Sequence, residues 1–466
     1  MWIGSRPPIA FEPRVPGADR PTAAAATDPS DQVAPTAGKP AAGPGQASKV
    51  AGRWPWFRGD HYDGICRDPT PLARSWPPAG PPVLWTLTLG EGYAGAVIAD
   101  GCAYVLDYDE HAQADTMRCL SLDDGREIWH NSYPVEVTRN HGMSRTVPAV
   151  VGDCVISIGP QCHVACWDAK SGECRWLIDM VLRYGTKVPR WYTGQCPLID
   201  GDRLILAPAG KVLLAAIDWR TGRPIDAETG QAMTEGPDRR ALETPNPHGW
   251  EMTHASVVPL EFGERRMYVY CTTDAVVGVS ADDFSVLWHS RDWTTQYATA
   301  PSPVALPEGQ VFLASGYDSK IGTLLLQLTP SPTGFDATPV LRLPPRQFNS
   351  EQQTPILWNG HVYGIRKQGG GKIVCLALRG TELWNSGRDR FGHGPYMIAD
   401  GVLLALSDTG RLVMVEADTK EYRVLASHEV LENGVDAWGP MALAGGRLIV
   451  RDATRMICLD LTRRPD

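Results

Sequence analysis

The sequence is poor in charge and has no long apolar run. Only 21% of its 466 residues are charged, and the formal net charge is −9. A protein that binds nucleic acid needs a basic surface, so this charge balance predicts no nucleic-acid partner. No 18 consecutive residues are apolar, so the sequence also predicts no transmembrane segment.

Common signatures of catalysis and metal binding are also missing. The chain has no Gly-x-Ser-x-Gly, no Gly-x-x-x-x-Gly-Lys and no His-Glu-x-x-His motif. Its eleven cysteines include no adjacent pair and no Cys-x-x-Cys, and most lie within predicted strands. This pattern predicts buried free thiols rather than a zinc site or a disulfide framework, and it favours a reducing compartment.

What the sequence does have is a repeat. Each copy contains an apolar run, a Gly or Asp-Gly, a second apolar run, and a turn that leads to Trp. Val97 to Trp129 and Pro148 to Trp176 are the clearest copies, and Pro197 to Ile225 lacks the final Trp. Further copies centre on Gly263, Gly309, Gly360, Gly401 and Gly446. Eight copies therefore fill the chain from about residue 83 to its end.

Each copy predicts four short strands. Its apolar runs alternate and are separated by Asp-Gly, Gly-Asp, Asn-Gly and Thr-Gly, which favour tight hairpins, and no helical periodicity is evident. Units of roughly 40 to 50 residues with four strands each are typical of propeller blades. Because Trp85 ends a lone strand and the last copy lacks its outer strand, Trp85 is expected to complete the final blade. The prediction is an all-β, eight-bladed β-propeller of four-stranded antiparallel blades, closed by an N-terminal strand near Trp85.

The chain divides into a tail and one domain. Residues 1–52 are rich in Ala, Pro and Gly, which predicts a disordered tail, and residues 53–466 form the predicted propeller. Residues 225–250 read as an exposed insertion, for which a partner-binding or lid role is one hypothesis. Met1 to Pro8 has neither the basic start nor the apolar core of a signal peptide, so export stays open.

The turn-plus-Trp pattern, as in Asp168 to Trp176, resembles the tryptophan-docking repeat of pyrroloquinoline-quinone-like propellers. Trp54 to Gly59, followed by Asp63-Gly64, resembles the segment that often precedes such propellers in bacterial envelope proteins. The resemblance covers residues 53–466. It implies either a quinoprotein dehydrogenase or a non-catalytic scaffold similar to the outer-membrane assembly lipoprotein, in the periplasm or cell envelope. Fold alone does not choose between them.

The predicted site is the mouth of the central funnel. Segments that precede the innermost strands, such as Tyr93-Ala94 and Gln352-Gln353, are rich in residue types that bind ligands, which favours a convergent pocket. The alternative is that these side chains only hold neighbouring blades together. The funnel-rim binding candidates are His141, Arg145, Lys187, Arg190, Trp191, Gln195, Glu251, His254, Gln296, Glu351, Gln352, Arg390, His393, Asp436 and Trp438.

The quinone hypothesis sets requirements on residue types. Arg145, Lys187, Arg190 and Arg390 could bind the carboxylates of the quinone, and Glu251, Asn349, Glu351 and Asp436 could supply oxygens to Ca²⁺. However, the resemblance to quinoprotein alcohol dehydrogenases also implies an adjacent Cys-Cys pair, which this chain lacks.

The favoured interpretation is therefore a monomeric binding or assembly scaffold with no confidently assigned cofactor or metal. It would bind a partner protein or a small molecule in the funnel. The alternative is a dehydrogenase of alcohols or sugars that depends on pyrroloquinoline quinone and Ca²⁺. In that case Glu251, Asn349 and Glu351 would be the first candidates for the metal.

Overall fold

The computed structural model describes residues 34–234, 239–294, 299–317 and 321–463. Eight antiparallel sheets of four core strands follow one another, as the repeats predict. Strands β1 (Ala41–Ala42) and β2 (Ile65–Cys66) precede the ring, and β3 (Val83–Thr88) belongs to the last blade. Blades 1 to 4 consist of β4 (Val97–Ala99), β5 (Cys102–Asp109), β6 (Ala114–Ser121) and β7 (Glu127–Pro134); β8 (Ala149–Val151), β9 (Cys154–Ile158), β10 (His163–Asp168) and β11 (Cys174–Asp179); β12 (Leu198–Asp200), β13 (Arg203–Leu206), β14 (Val212–Asp218) and β15 (Glu243–Pro245); and β16 (Val258–Phe262), β17 (Arg265–Cys271), β18 (Val276–Ser280) and β19 (Val286–Ser290).

The second half of the ring has the same organisation. Blades 5 to 8 consist of β20 (Val304–Leu306), β21 (Gln310–Leu313), β22 (Thr323–Ser331) and β23 (Gly334–Leu343); β24 (Ile356–Trp358), β25 (His361–Arg366), β26 (Lys372–Ala377) and β27 (Glu382–Asn385); β28 (Tyr396–Ala399), β29 (Val402–Leu406), β30 (Arg411–Glu416) and β31 (Val424–Glu429); and β32 (Ala442–Ala444), β33 (Arg447–Arg451) and β34 (Arg455–Asp460) with β3. The helical elements are α1 (Met180–Tyr184) and a 3₁₀ turn at Pro307–Gly309. In the described part of the chain, no helix is long and apolar enough to cross a membrane.

The N-terminal strand closes the ring, as predicted. Strand β3 pairs antiparallel with β34, and Trp85 lies opposite Cys458 in that pairing. The buried guanidinium of Arg451 strengthens this junction because it donates to the carbonyls of Gly90 and Ala94, at the entrance to blade 1. First and last segments therefore share one sheet, and the eight blades form a closed circle.

Four of the five recurrent tryptophans dock on the next blade. The Trp129 Nε1 group donates to the carbonyl oxygen of Ala169 in blade 2 at 3.0 Å, and Trp85, Trp176 and Trp384 make equivalent bonds. The Trp129 ring covers Gly172, where a Cβ would lie 2.5 Å from the ring and φ is +75°. Trp288 is the exception, because its Nε1 group donates to the Met267 sulfur in its own blade instead of to a backbone carbonyl of the next blade.

The eleven cysteines are free thiols, and ten of them are buried, as predicted. Cys119, Cys166, Cys375 and Cys458 occupy the third strand of their blades, each opposite the recurrent tryptophan of the same blade. In this position they serve as small apolar residues between sheets.

Part of the predicted tail is ordered. Residues 1–33 lie outside the described residues, but residues 38–45 lie along the outer edge of blade 1, and the Ser48 amide donates to the Gly101 carbonyl in the inner hairpin of that blade. There β1 pairs with β7, and the amides of Gly43 and Gly45 donate to Ile128 and Glu127 carbonyls at 2.8 and 2.9 Å. A Cβ at Gly43 would lie 2.0 Å from the Glu127 oxygen, so the small residues of this segment permit the contact. Backbone hydrogen bonds at a strand edge need no apolar pattern, which is why the sequence predicted disorder.

The predicted exposed insertion at 225–250 is also partly structural. Ile225 and Leu242 are buried, each at 1% exposure, and residues 243–245 supply the outer strand of blade 3. Residues 235–238 lie outside the described residues. The segment therefore completes the blade where the recurrent Trp is missing.

Residues 53–74, which we call the strap, cross the inner strands of the propeller. Trp54 exchanges backbone hydrogen bonds with Ile98 in blade 1, and the Pro55 carbonyl accepts from Val150 in blade 2. Farther along, β2 pairs parallel to β28 in blade 7. Because inner strands line the axis of a propeller, the strap lies across the central channel.

Arg58 fixes the strap at its middle. Its buried guanidinium donates to the carbonyls of Tyr62 and Asp63 in the strap and of Thr354 and Pro355 at the entrance to blade 6. Burial lowers the pKa of Arg58 to about 10. All three guanidinium nitrogens are thus satisfied by backbone oxygens.

Candidate functional site

A cavity of about 210 Å³ opens where the segments before the inner strands converge. Phe57 from the strap contributes to its lining, so the strap limits the cavity on the channel side. Apart from Tyr317, which lies in a loop within blade 5, the remaining lining residues come from loops between blades around the ring. They are Tyr93, His141, Arg145, Trp191, Gly194, Cys196, His254, Ser256, Ala300, Tyr317, Gln352, Gln353, His393, Trp438 and Pro440. No Asp or Glu is among the described residues that line it.

An aromatic belt surrounds this cavity; we use the term for Tyr93, Trp438, His393, Tyr317 and Trp191. Ring centroids along the belt are 5.0 Å apart for Tyr93–Trp438 and 5.3 Å apart for both Trp438–His393 and Trp191–Tyr317. The Tyr317 and His393 rings are 6.4 Å apart. Aromatic faces and edges therefore form most of the apolar wall.

Arg145 lies against the Tyr93 end of the belt. Its guanidinium carbon lies 5.8 Å from the centroid of the Tyr93 ring, and Nη2 donates to the carbonyls of Asn140, His141 and Gly142 at 3.0–3.3 Å. Nε is buried and has no hydrogen-bond partner among the described residues. Burial lowers the pKa of Arg145, and no carboxylate of the described chain contributes to raise it.

Three histidines line the cavity in neutral form near pH 7. Burial, and next the charge of Arg145, lower the pKa of His254 to about 4. The same two causes lower the pKa of His141. For His393 burial is the main cause of the lowered pKa, although the charge of Asp408 opposes it. Arg145 is consequently the one formal charge among the described lining residues.

The structure brings together seven of the fifteen predicted rim residues at this cavity. These are His141, Arg145, Trp191, His254, Gln352, His393 and Trp438. Gln296 lies outside the described residues. Arg190 stacks its guanidinium over the Trp191 ring at 5.6 Å, just outside the lining. The ligand-binding role of these residues stays a prediction.

The other predicted residues make contacts within the protein. The buried side-chain amide of Gln195 donates to the Ala207 carbonyl and accepts a hydrogen bond from the Ala207 N–H, and this pair of bonds holds blade 3 together. Arg390 is bound to the carbonyls of Gly387 and Asp389 in its own loop. Each of these contacts stays within one blade or one loop, so neither joins neighbouring blades.

Acidic rim residues likewise have partners. Glu251 forms an ion pair with Lys187, and Glu351 forms an ion pair with Lys367 and lies 3.3 Å from Nδ1 of the neutral His393 ring. Burial and the neighbouring Asp408 raise the pKa of Asp436, whose side chain is hydrogen-bonded to Tyr93.

Nine of the sixteen lining residues are absent from the predicted set, and four of these nine have large side chains: Phe57, Tyr93, Tyr317 and Gln353. Tyr93 and Gln353 belong to the segments before inner strands and could have been selected by position. Tyr317 follows the second strand of blade 5, and Phe57 precedes the first repeat. No repeat alignment would place either of these two at the rim.

The proposed calcium ligands do not fit a metal site. Both carboxylates are bound to cationic side chains, and Asn349 is fully buried with neither amide atom hydrogen-bonded in the described chain. Ca²⁺ requires several oxygens at 2.3–2.6 Å around one point. Among the described residues, no group of three or more His, Cys, Asp or Glu side chains could hold a metal ion.

Comparison with known proteins agrees with the resemblance seen in the repeats. The model of the family described as outer membrane protein assembly factor BamB matches residues 82–176 and 113–232, which span the first three blades. No curated protein matches the chain. The chain is thus similar to this family over those blades.

Solved structures share the whole propeller. The structure of BamB from Moraxella catarrhalis has 12% sequence identity and a TM-score of 0.51, and the match covers 81% of this chain and 99% of that one. A europium-containing methanol dehydrogenase has 11% identity and a TM-score of 0.57, with coverage of 86% and 89%. At such low identity these similarities establish the eight-bladed fold and leave the activity open.

Proposed function

We propose that this protein is a non-catalytic binding or assembly scaffold that works through its central funnel. The observation that carries the proposal is the cavity lining, which is aromatic and basic and has no carboxylate among the described residues. A pocket with apolar walls and a few convergent polar groups is typical of a binding site. An oxidation of alcohols would also need a base, and two of the predicted rim carboxylates, Glu251 and Glu351, are held in ion pairs with lysines.

The match to the family of assembly factor BamB supports a protein partner. The funnel mouth offers an exposed cation, Arg190, beside the aromatic belt. Aromatic and arginine side chains are those that contribute most at protein interfaces. A partner would therefore place a side chain in the cavity and contact Arg190 at its edge.

A second candidate function is a quinoprotein dehydrogenase, which the fold likeness to methanol dehydrogenase keeps open. Arg145 would bind a carboxylate of the quinone, and Trp191 and Trp438 would contact its ring. The quinone would supply the redox chemistry. The metal requirement separates the two candidates, since the proposed calcium ligands do not converge.

A titration with pyrroloquinoline quinone, with and without Ca²⁺, tests the choice. Quinone absorbance, the thermal midpoint and dye-linked oxidation of methanol and glucose are followed together. A ligand that binds only the folded state raises the midpoint. The scaffold predicts no calcium-dependent rise and no turnover, whereas a rise that a chelator reverses, accompanied by turnover, would establish the dehydrogenase.

Photo-crosslinking tests whether the funnel is the binding face. A crosslinking amino acid at Arg190 samples the mouth, and one at the exposed His61 of the strap samples the opposite side. The proposal predicts a discrete adduct from position 190 and none from position 61. Equal adducts, or adducts from position 61 alone, would move the binding face away from the funnel.

A further inference from the structure

We infer that the funnel cavity binds a small aromatic carboxylate, with a single ring and one acidic group. The inference rests on the proposed binding function and specifies its ligand. Three properties of the cavity carry it: an uncompensated buried cation, an aromatic wall and a limited volume.

The cation requires an anionic ligand. Arg145 uses only Nη2 for hydrogen bonds, so Nε and Nη1 remain without acceptors among the described residues. A buried guanidinium without a counter-ion is costly, and a carboxylate oxygen would supply Nη1 with a charge-assisted hydrogen-bond acceptor. His254 lies close enough to Arg145 for that charge to lower its pKa, so its neutral ring adds no second positive charge to the cavity.

The wall requires a flat ring. Trp191, Tyr317, Trp438 and Tyr93 present aromatic surfaces to one space. Such a cage in other proteins can attract quaternary ammonium groups, but here Arg145 would repel a cation. The same faces also stack well on a neutral or anionic ring.

The volume limits the ring count. The cavity measures about 210 Å³, and an apolar cavity of about 150 Å³ is enough for benzene. The remaining space accommodates a carboxylate and small substituents. A tricyclic acid such as pyrroloquinoline quinone would therefore extend beyond the cavity into the mouth.

Isothermal titration with benzoate tests the inference, with benzamide as its neutral isostere and pyrroloquinoline quinone as the large acid. We expect benzoate to bind roughly 10- to 100-fold more tightly than benzamide, as for hydrogen bonds to a charged group. Benzamide affinity within threefold of benzoate would overturn the charge argument. Tighter binding of the quinone would overturn the single-ring assignment.

Variants locate the binding site. Arg145→Gln should reduce benzoate affinity roughly 10- to 100-fold and leave benzamide unchanged, while Arg126→Gln on an exposed turn should change neither. Because Arg145 also supports its own loop, Trp191→Leu is a second variant that should weaken both ligands. Benzoate affinity unaffected by both cavity variants would overturn the inference.

The outcome is separable from that of the proposed function. Funnel adducts at position 190 combined with equal benzoate and benzamide affinities would refute the aromatic acid and retain the binding face. Tight benzoate binding that depends on Arg145, together with calcium-dependent quinone turnover, would support the ligand class and refute the non-catalytic assignment.

Discussion

Replacement of Arg58 by Met should destabilise the propeller by about 3–5 kcal/mol. The guanidinium donates to four backbone carbonyls, and of these only the Thr354 oxygen has another donor in the described structure, the Tyr396 hydroxyl at 3.1 Å. Three carbonyls would be left unsatisfied, at about 1–3 kcal/mol each. Removal of a buried charge and retention of packing by Met offset part of this loss, which gives the stated range.

Arg67→Met is the matched control in the same strap. Arg67 pairs with Asp63 at 2.6 Å, but its side chain is 50% exposed, so its loss should cost less than about 1 kcal/mol. Urea unfolding gives the global effect, and amide hydrogen exchange in residues 53–74 gives the local opening free energy. Equal stability of the two variants would refute the assignment of Arg58 as the anchor of the strap.

Three further predictions concern buried groups. Burial raises the pKa of Asp115 to about 7, above its ordinary 3.8, so the folded state loses stability as pH rises from about 4 to 7. In urea unfolding, Asp115→Asn should therefore increase the free energy of unfolding by about 2–4 kcal/mol at pH 8 and by far less at pH 4. The pKa of His254, at about 4, lies below its ordinary 6.5, so the free energy of unfolding falls as pH drops from 6.5 to 4. His254→Phe should remove up to about 3 kcal/mol of that pH dependence. An unchanged dependence of stability on pH would contradict this prediction. Gly172→Ala should lower the free energy of unfolding by about 2–4 kcal/mol, because the new Cβ would meet the Trp129 ring. Gly201→Ala is the control: this position also has a positive φ but no atom within 4 Å, so the loss should be about 1 kcal/mol. The thermal midpoints of the two variants give the comparison.

The repeats made the fold predictable. Hairpin glycines mark every blade, recurrent tryptophans mark five of the eight, and the lone strand at Trp85 identifies the ring closure. Trp288 departs from the pattern because the next blade has two long strands, β22 and β23, of nine and ten residues. The turn between these two strands differs from the turns after the third strand of other blades, whose carbonyls accept the indole N–H of the other recurrent tryptophans.

The site was less predictable because side-chain direction depends on tertiary packing. Position before an inner strand placed Arg145 and Trp191 correctly near the funnel, but it placed Gln195 there as well, whose amide is fully buried against Ala207. Phe57 reaches the cavity from the strap, which lies outside the repeats. The position of a connecting segment across the channel cannot be obtained by aligning the blades.

Three buried arginines of this protein show how one residue type serves stability or binding. Arg58 and Arg451 each use Nε, Nη1 and Nη2 to donate to backbone carbonyls, so their donors are saturated. Arg145 uses Nη2 alone and faces the cavity. Substitution of the first two should therefore lower stability and leave the benzoate preference over benzamide intact, because neither guanidinium lines the cavity. Substitution of Arg145 should abolish that preference at a smaller cost in stability, since an unsaturated buried charge contributes little to the folded state until an anion binds.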